Sequence, residues 1–312
     1  MPTKQPFIYP DATELTVVIR AAGERTEEAC IASFARQLPL QSQLVVIHES
    51  PFSKAVTRSF EIGIQSNRPW LIAVDADILP LDDVVTRIRE ICSKMASNAF
   101  VATPLFLCQT MGGLATRGLH CYRTSMLQEA IELAPTLPDD LRPESRFHDA
   151  MVERGYTREC YAKILGLHEF EQSAIHLYLK GMLRSRKEPE SDRTRAYLAE
   201  RAKTSRDCQI VLWGFDDALI DPNPPIEYDW NTRYPKFEQR MHDADFEEKP
   251  TLGEDLPDGF VKERINAHDY RADTRTLGWI RDILHFADGA PDALAYVNAT
   301  PLLSTNVPSP IG

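Results

Sequence analysis

The sequence predicts an α/β fold in which a mostly parallel sheet is flanked by helices and followed by a mainly helical C-terminal extension. First, strand-like apolar runs alternate with helical periodicity across residues 15–107, which is the pattern of a parallel sheet. Second, residues 70–74 are continuously apolar, as in a central strand buried on both faces. Third, helical periodicity replaces strand signals beyond residue 171. We therefore expect two parts, residues 1–175 and 176–312.

The chain begins with four strands and three helices in alternation. The strands are short runs rich in valine, isoleucine and leucine, which favour extended backbone, and they are predicted at residues 15–22, 43–49, 70–74 and 99–107. Each intervening helix has apolar residues at helical spacing behind a capping side chain. The predicted caps are Thr26, Ser53 and Asp82. Pro104 is expected to break the fourth strand, because proline cannot donate a ladder hydrogen bond.

The pattern becomes less regular after residue 107. Glycine and proline indicate loops at 111–118 and 135–145, and Gly155 is expected to end a helix. The remaining predicted elements are strands at 119–124 and 162–170, helices at 126–133, 147–154, 171–183, 191–204, 206–219 and 274–287, and long loops over 221–262.

Composition argues against several classes of protein. A net charge of −11 disfavours a nucleic-acid partner, because such a partner is met by a basic face. No apolar run is long enough to span a bilayer, and the first residues lack the apolar core of a signal peptide. The six cysteines show no C-x-x-C pair and no metal-finger spacing, which indicates free thiols in a reducing compartment. We therefore expect a cytoplasmic protein with no transmembrane segment.

Two aspartates end the central apolar run. Asp75 and Asp77 are two residues apart, so on an extended chain both carboxylates point to the same side. Neighbouring carboxylates repel each other unless a cation or a cationic side chain compensates them. A divalent ion shared with substrate phosphates is a usual solution. The alternative is a pair of polar loop residues that cap the next helix.

Taken together, residues 15 to about 170 resemble a family 2 glycosyltransferase of the GT-A fold. The resemblance is carried by VVIRAAGER (17–25), VVIHES (45–50), AVDAD (73–77), an acid-x(10)-Gly-Tyr segment ending at Tyr156, and a later histidine, His168. The C-terminal half matches no family.

The resemblance implies where a nucleotide would bind. It assigns Arg20, Ala21, Gly23 and Glu24, after the first strand, and Glu49, after the second strand, to the nucleotide. It assigns Asp75 to the ribose or the metal shell.

The resemblance also implies a metal and a catalytic base. Asp77 and His168, with Asp75, would hold Mn²⁺ or Mg²⁺ bridging the donor diphosphate. Glu144 stands where the family has its base, although Pro143 occupies a position where the family prefers an acid. Asp149 is the competing candidate for the base.

Two further groups are assigned more loosely. The resemblance aligns His120 and Arg123 with the acceptor pocket, and Gly112 and Gly113 would let backbone approach a sugar. A basic cluster follows the predicted helix at 171–183. Its members, Arg184, Arg186 and Lys187, either contact an anionic ligand or form a solvated face, and the solvated face is the interpretation we favour.

The implied function is metal-dependent, inverting transfer of a sugar from a UDP- or GDP-linked donor to a saccharide or other hydroxyl acceptor. Processive synthesis is disfavoured because the Q-x-x-R-W motif of processive synthases is absent. Two alternatives from other classes stay open. One is a non-catalytic nucleotide-sugar-binding protein, and the other is a phosphohydrolase whose D-x-D motif also ends an apolar strand. A sugar-nucleotide pyrophosphorylase is disfavoured because the chain lacks a glycine-rich G-G-x-G-T-R loop.

Overall fold

The computed structural model describes residues 12–110, 113–136, 142–187, 191–220 and 233–267. Eight strands in these ranges form one sheet. They are β1 (Leu15–Arg20), β2 (Leu44–Ile47), β3 (Trp70–Asp75), β4 (Ile78–Pro80), β5 (Ala99–Cys108), β6 (Gly113–Ala115), β7 (Leu119–Arg123) and β8 (Thr157–His168).

The sheet has the order β2-β1-β3-β7-β5-β8-β4, with β6 paired to β5. Strand β1 is parallel to β2 and β3, and β8 is parallel to β5. Strand β7 lies antiparallel between β3 and β5, so β1, β2, β3, β5 and β8 all run in one direction. The predicted α/β fold with a mostly parallel sheet is therefore confirmed.

Helices pack on the sheet and continue beyond it. They are α1 (Glu27–Ala35), α2 (Phe52–Ser66), α3 (Val84–Lys94), α4 (Leu127–Leu133), α5 (Pro143–Glu153), α6 (Ala174–Lys187), α7 (Ser191–Arg201), α8 (Arg206–Leu219), α9 (Pro235–Asp243) and α10 (Phe260–Ala267). Within the described ranges, no helix is both long and apolar enough to cross a membrane.

Alternate side chains of the central strands enter two separate cores, as the period of a strand requires. Val17 and Ile19 of β1 pack in the core that contains α3, whereas Val18 packs with Phe60 of α2 and Phe147 of α5. Both faces are covered, which is why β1 and β3 are apolar at successive positions rather than at every second one.

Helices α6 and α8 cross at two glycines. A Cβ built on Gly181 would lie 2.0 Å from the carbonyl oxygen of Val211, and one on Gly214 would lie 1.8 Å from that of Tyr178. Leu177, Tyr178 and Phe215 complete a third core around this crossing. Only the missing side chains allow the two backbones to approach this closely.

Several predicted boundaries differ from the observed ones. Strand β5 runs through Pro104 to Cys108, because a register irregularity with β8 absorbs the missing donor. Strand β8 begins at Thr157 rather than residue 162. Helix α5 begins at Pro143, a favoured first helical residue, so the predicted loop at 135–145 extends too far.

Other predictions had mixed outcomes. Asp83, not Asp82, occupies the N-cap position of α3, and α2 begins at Phe52, one residue before the predicted cap Ser53. Helix α9 lies within the predicted loops at 221–262, and the predicted helix at 274–287 falls outside the described residues.

All six cysteines are free thiols and five are buried, as expected. The division of the chain near residue 175 stays a prediction.

The α6–α8 crossing gives a stability test. In an exposed helix, Gly→Ala would be favoured by about 1 kcal/mol. Gly214→Ala should instead lower the free energy of unfolding by about 1–3 kcal/mol, because the new methyl group overlaps the Tyr178 carbonyl. Urea denaturation measures the difference. Gly253→Ala is the matched control, since its Cβ would meet no atom within 4 Å. Equal stabilities of the two variants would contradict this packing.

Candidate functional site

A cleft of about 420 Å³ opens at the carboxyl ends of β1 and β3. Its lining carries acidic residues, which are Glu24, Glu49, Asp75, Asp77, Glu144 and Glu169. It also carries basic residues, which are Arg20, Arg117, Arg142, Arg158, Lys180, Arg184 and Lys187. Ligands of open α/β sheets bind at this edge, because functional side chains from neighbouring strand ends meet there.

Arg20 joins the strand ends to helix α5. The parallel register aligns Arg20 of β1 with Asp75 of β3, and Arg20 Nη2 lies 2.8 Å from Asp75 Oδ1. Its Nη1 donates to Glu144 Oε1 at 2.5 Å. Burial alone would lower the pKa of Arg20, but the negative charges of Asp75 and Glu144 have the larger effect and raise this pKa above its ordinary value. One buried cation therefore compensates two carboxylates.

Glu144 has two more partners, both from β7. His120 Nε2 lies 3.2 Å from Glu144 Oε2, and the Tyr122 hydroxyl donates to Oε1 at 3.3 Å. Tyr122 also contacts His148 Nε2 at 2.9 Å. Burial opposes ionisation of Glu144, but Arg20 and then His120 hold its pKa well below the usual range. Glu144 is thus a carboxylate over the whole physiological pH range.

Asp75 and Glu24 behave differently from Glu144. Burial, only partly offset by Arg20, raises the pKa of Asp75 to about 6. Burial and then the charge of Asp77 raise the pKa of Glu24 to about 7, although the Ala22 N–H donates to Glu24 Oε2 at 2.6 Å. The pKa values of both carboxyl groups therefore lie closer to neutral pH than the usual values of such groups.

The short pairing of β4 with β8 brings Asp77 to His168. Ile78 is paired with His168, and the Glu169 N–H donates to the Asp77 carbonyl at 3.1 Å. His168 Nε2 therefore lies 3.6 Å from Asp77 Oδ2. Burial lowers the basicity of His168, but Asp77 and Glu169 outweigh it and raise its pKa to about 9. Two residues that are 91 positions apart in the sequence thus lie close together at one corner of the sheet.

Helix α6 supplies cations to this corner. The Lys180 ammonium group contacts Asp77 Oδ2 and lies 3.1 Å from Glu169 Oε1. Arg184 Nη2 lies 2.5 Å from Glu169 Oε2. Burial would raise the pKa of Asp77, but Lys180 and then His168 lower it.

Sequence reasoning did not use Lys180 and favoured a solvated face for the basic cluster. For Arg184 that interpretation is wrong, because Arg184 is only 5% exposed. Lys180, Arg184 and Lys187 are spaced i, i+4, i+7, which puts them on one face of a helix, and this spacing was the available signal.

A divalent cation suits the donors at this corner. Asp77 Oδ1 is buried and has no hydrogen-bond partner in the described part of the chain. Carboxylate oxygens from Asp75 and Asp77 and a nitrogen from His168 are ligands that Mn²⁺ accepts. The donor types suit a metal, but in the described part of the chain the ligand atoms of Asp75, Asp77 and His168 do not all lie within 4.8 Å of one another, and Arg20 and Lys180 contact the two carboxylates.

A second set of possible metal ligands shares His168. The ligand atoms of Cys108, His168 and Glu169 lie within 4.8 Å of one another, and all three residues are buried. Lys180 and Arg184 already neutralise Glu169, and their positive charges would oppose a metal ion at this position.

The other predicted site residues divide into those that line the cleft and those that do not. Ala21, Glu49 and His120 line it. Gly23 does not belong to the lining and has a positive φ of 79°, and its N–H donates to Glu27. Asp149 is exposed on α5 and also lies outside the lining.

The residues assigned loosely to the acceptor have other contacts. Arg123 lies 4.5 Å above the Trp70 ring and donates to the backbone carbonyl groups of Met95, Ala96 and Ala99. Gly113 pairs with Cys108, and Gly112 falls outside the described residues.

Comparisons with known proteins do not identify a family. No protein-family model matches the chain, and no curated protein matches it. Among solved structures, a putative glucose-1-phosphate thymidylyltransferase from Bacillus anthracis in complex with sucrose is 10% identical, with a TM-score of 0.34 over 49% of this chain and 89% of that chain. CMP:2-keto-3-deoxy-manno-octonic acid synthetase complexed with CTP is 10% identical, with a TM-score of 0.32, and the match covers 49% of this chain and 92% of that chain. A glycosyltransferase involved in glycosylation of the major capsid of PBCV-1 is 11% identical, with a TM-score of 0.31, and the match covers 47% of this chain and 81% of that chain. Likeness at this level does not assign an activity.

Arg20 should be required for stability. Arg20→Met leaves Asp75 and Glu144 without their shared cation, which should cost about 3–5 kcal/mol of unfolding free energy. Arg58→Met is the control, because Arg58 pairs with Glu61 on an exposed helix face, where such a pair contributes about 0–1 kcal/mol. Chemical denaturation at pH 7 compares the variants. Similar losses for both arginines would show that Arg20 does not compensate the cluster.

Glu24 should make stability depend on pH. Its folded pKa of about 7 exceeds the usual 4.5, so the folded protein keeps a proton that the unfolded chain releases in that window. The free energy of unfolding should therefore fall as pH rises from 4.5 to 7.

Glu24→Gln removes the titrating group and keeps an acceptor for the Ala22 N–H. Between pH 5 and pH 8 the free energy of unfolding should decrease by about 1–3 kcal/mol less in this variant than in the unsubstituted protein. Glu28→Gln, at an exposed position of α1, is the control. Urea denaturation at each pH gives the profiles, and parallel profiles for Glu24→Gln and the unsubstituted protein would contradict the raised pKa of Glu24.

Proposed function

We propose that this chain is a glycosyltransferase that moves a sugar from a nucleoside-diphosphate donor to an acceptor hydroxyl, with inversion at the anomeric carbon. The observation that carries the proposal is the corner of the cleft where Asp77 lies beside His168 and Lys180, next to Asp75 and its partner Arg20. The leaving group of such a reaction is a nucleoside diphosphate, whose developing charge must be neutralised. This corner is rich in the groups that do so.

The nucleotide would lie over the ends of β1 and β2. Arg20, Ala21 and Glu24 follow β1, and Glu49 follows β2. Phe52 lines the same part of the cleft and packs against the Arg20 guanidinium at 4.9 Å, which offers an apolar surface to a base or ribose. Glu49 is exposed and accessible to a donor N–H of the base.

Asp75, Asp77 and His168 would hold Mn²⁺ or Mg²⁺. When bound, the metal would act as a Lewis acid that neutralises the diphosphate. Lys180 contacts Asp77 and Glu169, so its ammonium group supplies positive charge at the same point.

Glu144 would accept the proton of the acceptor hydroxyl. It is an ionised carboxylate in the cleft lining, and Arg20, His120 and Tyr122 fix its orientation. Asp149 is retained as the alternative base, but its exposure on α5 outside the lining favours Glu144.

One observation favours a second candidate function. Three neighbours stabilise the charge of Glu144 and hold its pKa well below the usual range, which makes it a weak base. A nucleotide-sugar-binding protein without transfer activity would tolerate such a residue. A donor that binds and is neither hydrolysed nor transferred would support that alternative.

The metal site is tested by ligand-induced stabilisation. UDP or GDP at a hundred times its dissociation constant should raise the free energy of unfolding by about 2.7 kcal/mol. Part of this increase should require Mn²⁺, and Asp77→Asn should remove that part because it deletes a ligand charge. Asp243→Asn, at an exposed position of α9, is the control. Thermal denaturation with each diphosphate, with and without Mn²⁺, gives the comparison. A metal-dependent stabilisation that survives Asp77→Asn would refute the site, and no stabilisation by any diphosphate would refute the function.

A further inference from the structure

The charges in the cleft are divided between two regions. At the strand ends, three carboxylates contact cations: Asp75 and Glu144 share Arg20, and Asp77 contacts Lys180. A second region, which we call the basic end, is formed by Arg117, Arg142, Arg184 and Lys187. These four side chains come from the segment before β7, the segment before α5 and the last turn of α6.

The basic end is a built feature rather than a group of loose surface side chains. Arg142 Nη2 donates to the carbonyl oxygen of Lys187 at 2.9 Å, which joins the start of α5 to the end of α6. Arg184 is 5% exposed, and its Nη2 is held by Glu169. Its other terminal nitrogen, Nη1, is buried and has no hydrogen-bond partner among the residues that the structure describes. A buried guanidinium nitrogen without an acceptor is costly, and an anionic ligand would satisfy it.

The environment of Lys187 is also positive. The pKa of Lys187 is lowered to about 8, mainly by burial and then by the charges of Arg142 and Arg117. The remaining main contributions come from Lys180 and Arg184, which are cations too. Mutual repulsion of this kind is relieved when a group with two negative charges binds between the side chains.

The basic end lies on the opposite side of Asp75 from the proposed nucleotide site. In the sheet, β1 and β2 lie on one side of β3, and β7 lies on the other. Glu49 follows β2, whereas Arg117 precedes β7, whose neighbouring residue Gly118 accepts from the Asp75 N–H at 2.7 Å. A ligand at the basic end is therefore separate from a nucleotide over β1 and β2.

We propose that the basic end is a phosphate-binding subsite for the acceptor, so that the acceptor substrate carries a phosphate group. This inference rests on the proposed function. Arginine guanidinium groups pair with phosphate oxygens through two parallel hydrogen bonds, and lysine adds a point charge. The phosphate holds the acceptor so that a hydroxyl of the same molecule faces the donor at Asp75 and Asp77.

The test measures phosphate binding while the nucleotide site is filled. Glucose 6-phosphate is titrated into the full-length protein saturated with UDP and Mn²⁺, and heat is followed by calorimetry. Glucose is the uncharged comparison, and vesicles containing phosphatidic acid test whether the phosphate belongs to a lipid. We expect one of the two phosphate probes to bind and glucose to bind at least ten times more weakly.

Lys187→Glu should weaken binding of that phosphate probe at least tenfold while changing the UDP dissociation constant less than twofold. Lys203→Glu, at an exposed position in the turn after α7, should change neither. Three results would overturn the subsite: neither phosphate probe binds, UDP displaces the bound probe, or Lys187→Glu binds the probe as tightly as the unsubstituted protein. If UDP does not bind, the proposed function fails. The probes are then titrated without UDP, and their response to Lys187→Glu decides the subsite alone.

Discussion

Charge compensation at the carboxyl ends of the strands is the constraint on which the rest of the structure depends. Parallel pairing of β1, β3 and the later strands brings carboxylates together, and burial makes each uncompensated charge costly. Arg20 compensates Asp75 and Glu144, and Lys180 compensates Asp77. These contacts also attach α5 and α6 to the sheet, so the fold and the chemistry of the cleft depend on the same ion pairs.

The balance of these charges gives neighbouring acids different properties. Glu144, with three partners, keeps its pKa well below the usual range, whereas burial raises the pKa of Asp75 to about 6. The positive groups are distributed just as unevenly, since Lys180 lies between two carboxylates while Lys187 is surrounded by cations. The cleft therefore contains one region in which carboxylates and cations compensate each other and one region of excess positive charge.

Local sequence patterns predicted many of the helices and strands but few of the contacts between them. The continuous apolar runs predicted β1 and β3, and the helical periodicity predicted α3. Each pattern is local, because the buried positions of an element follow its own repeat along the sequence. The position of β7 between β3 and β5 was not predictable, since pairing of distant strands leaves no local period. Asp77 and His168 were associated through the family resemblance, and the β4–β8 pairing supplies the physical reason for their contact. Lys180 was overlooked, although its spacing from Arg184 on α6 was visible in the sequence.

The most direct test of this account is a crystal structure of the protein with UDP and Mn²⁺, with anomalous diffraction recorded to locate manganese. The account predicts a manganese peak bonded to Asp77 and His168, a diphosphate beside it, and the Lys180 ammonium group displaced from Asp77 toward that diphosphate. A map in which Lys180 still occupies Asp77, with neither manganese nor nucleotide in the cleft, would contradict it.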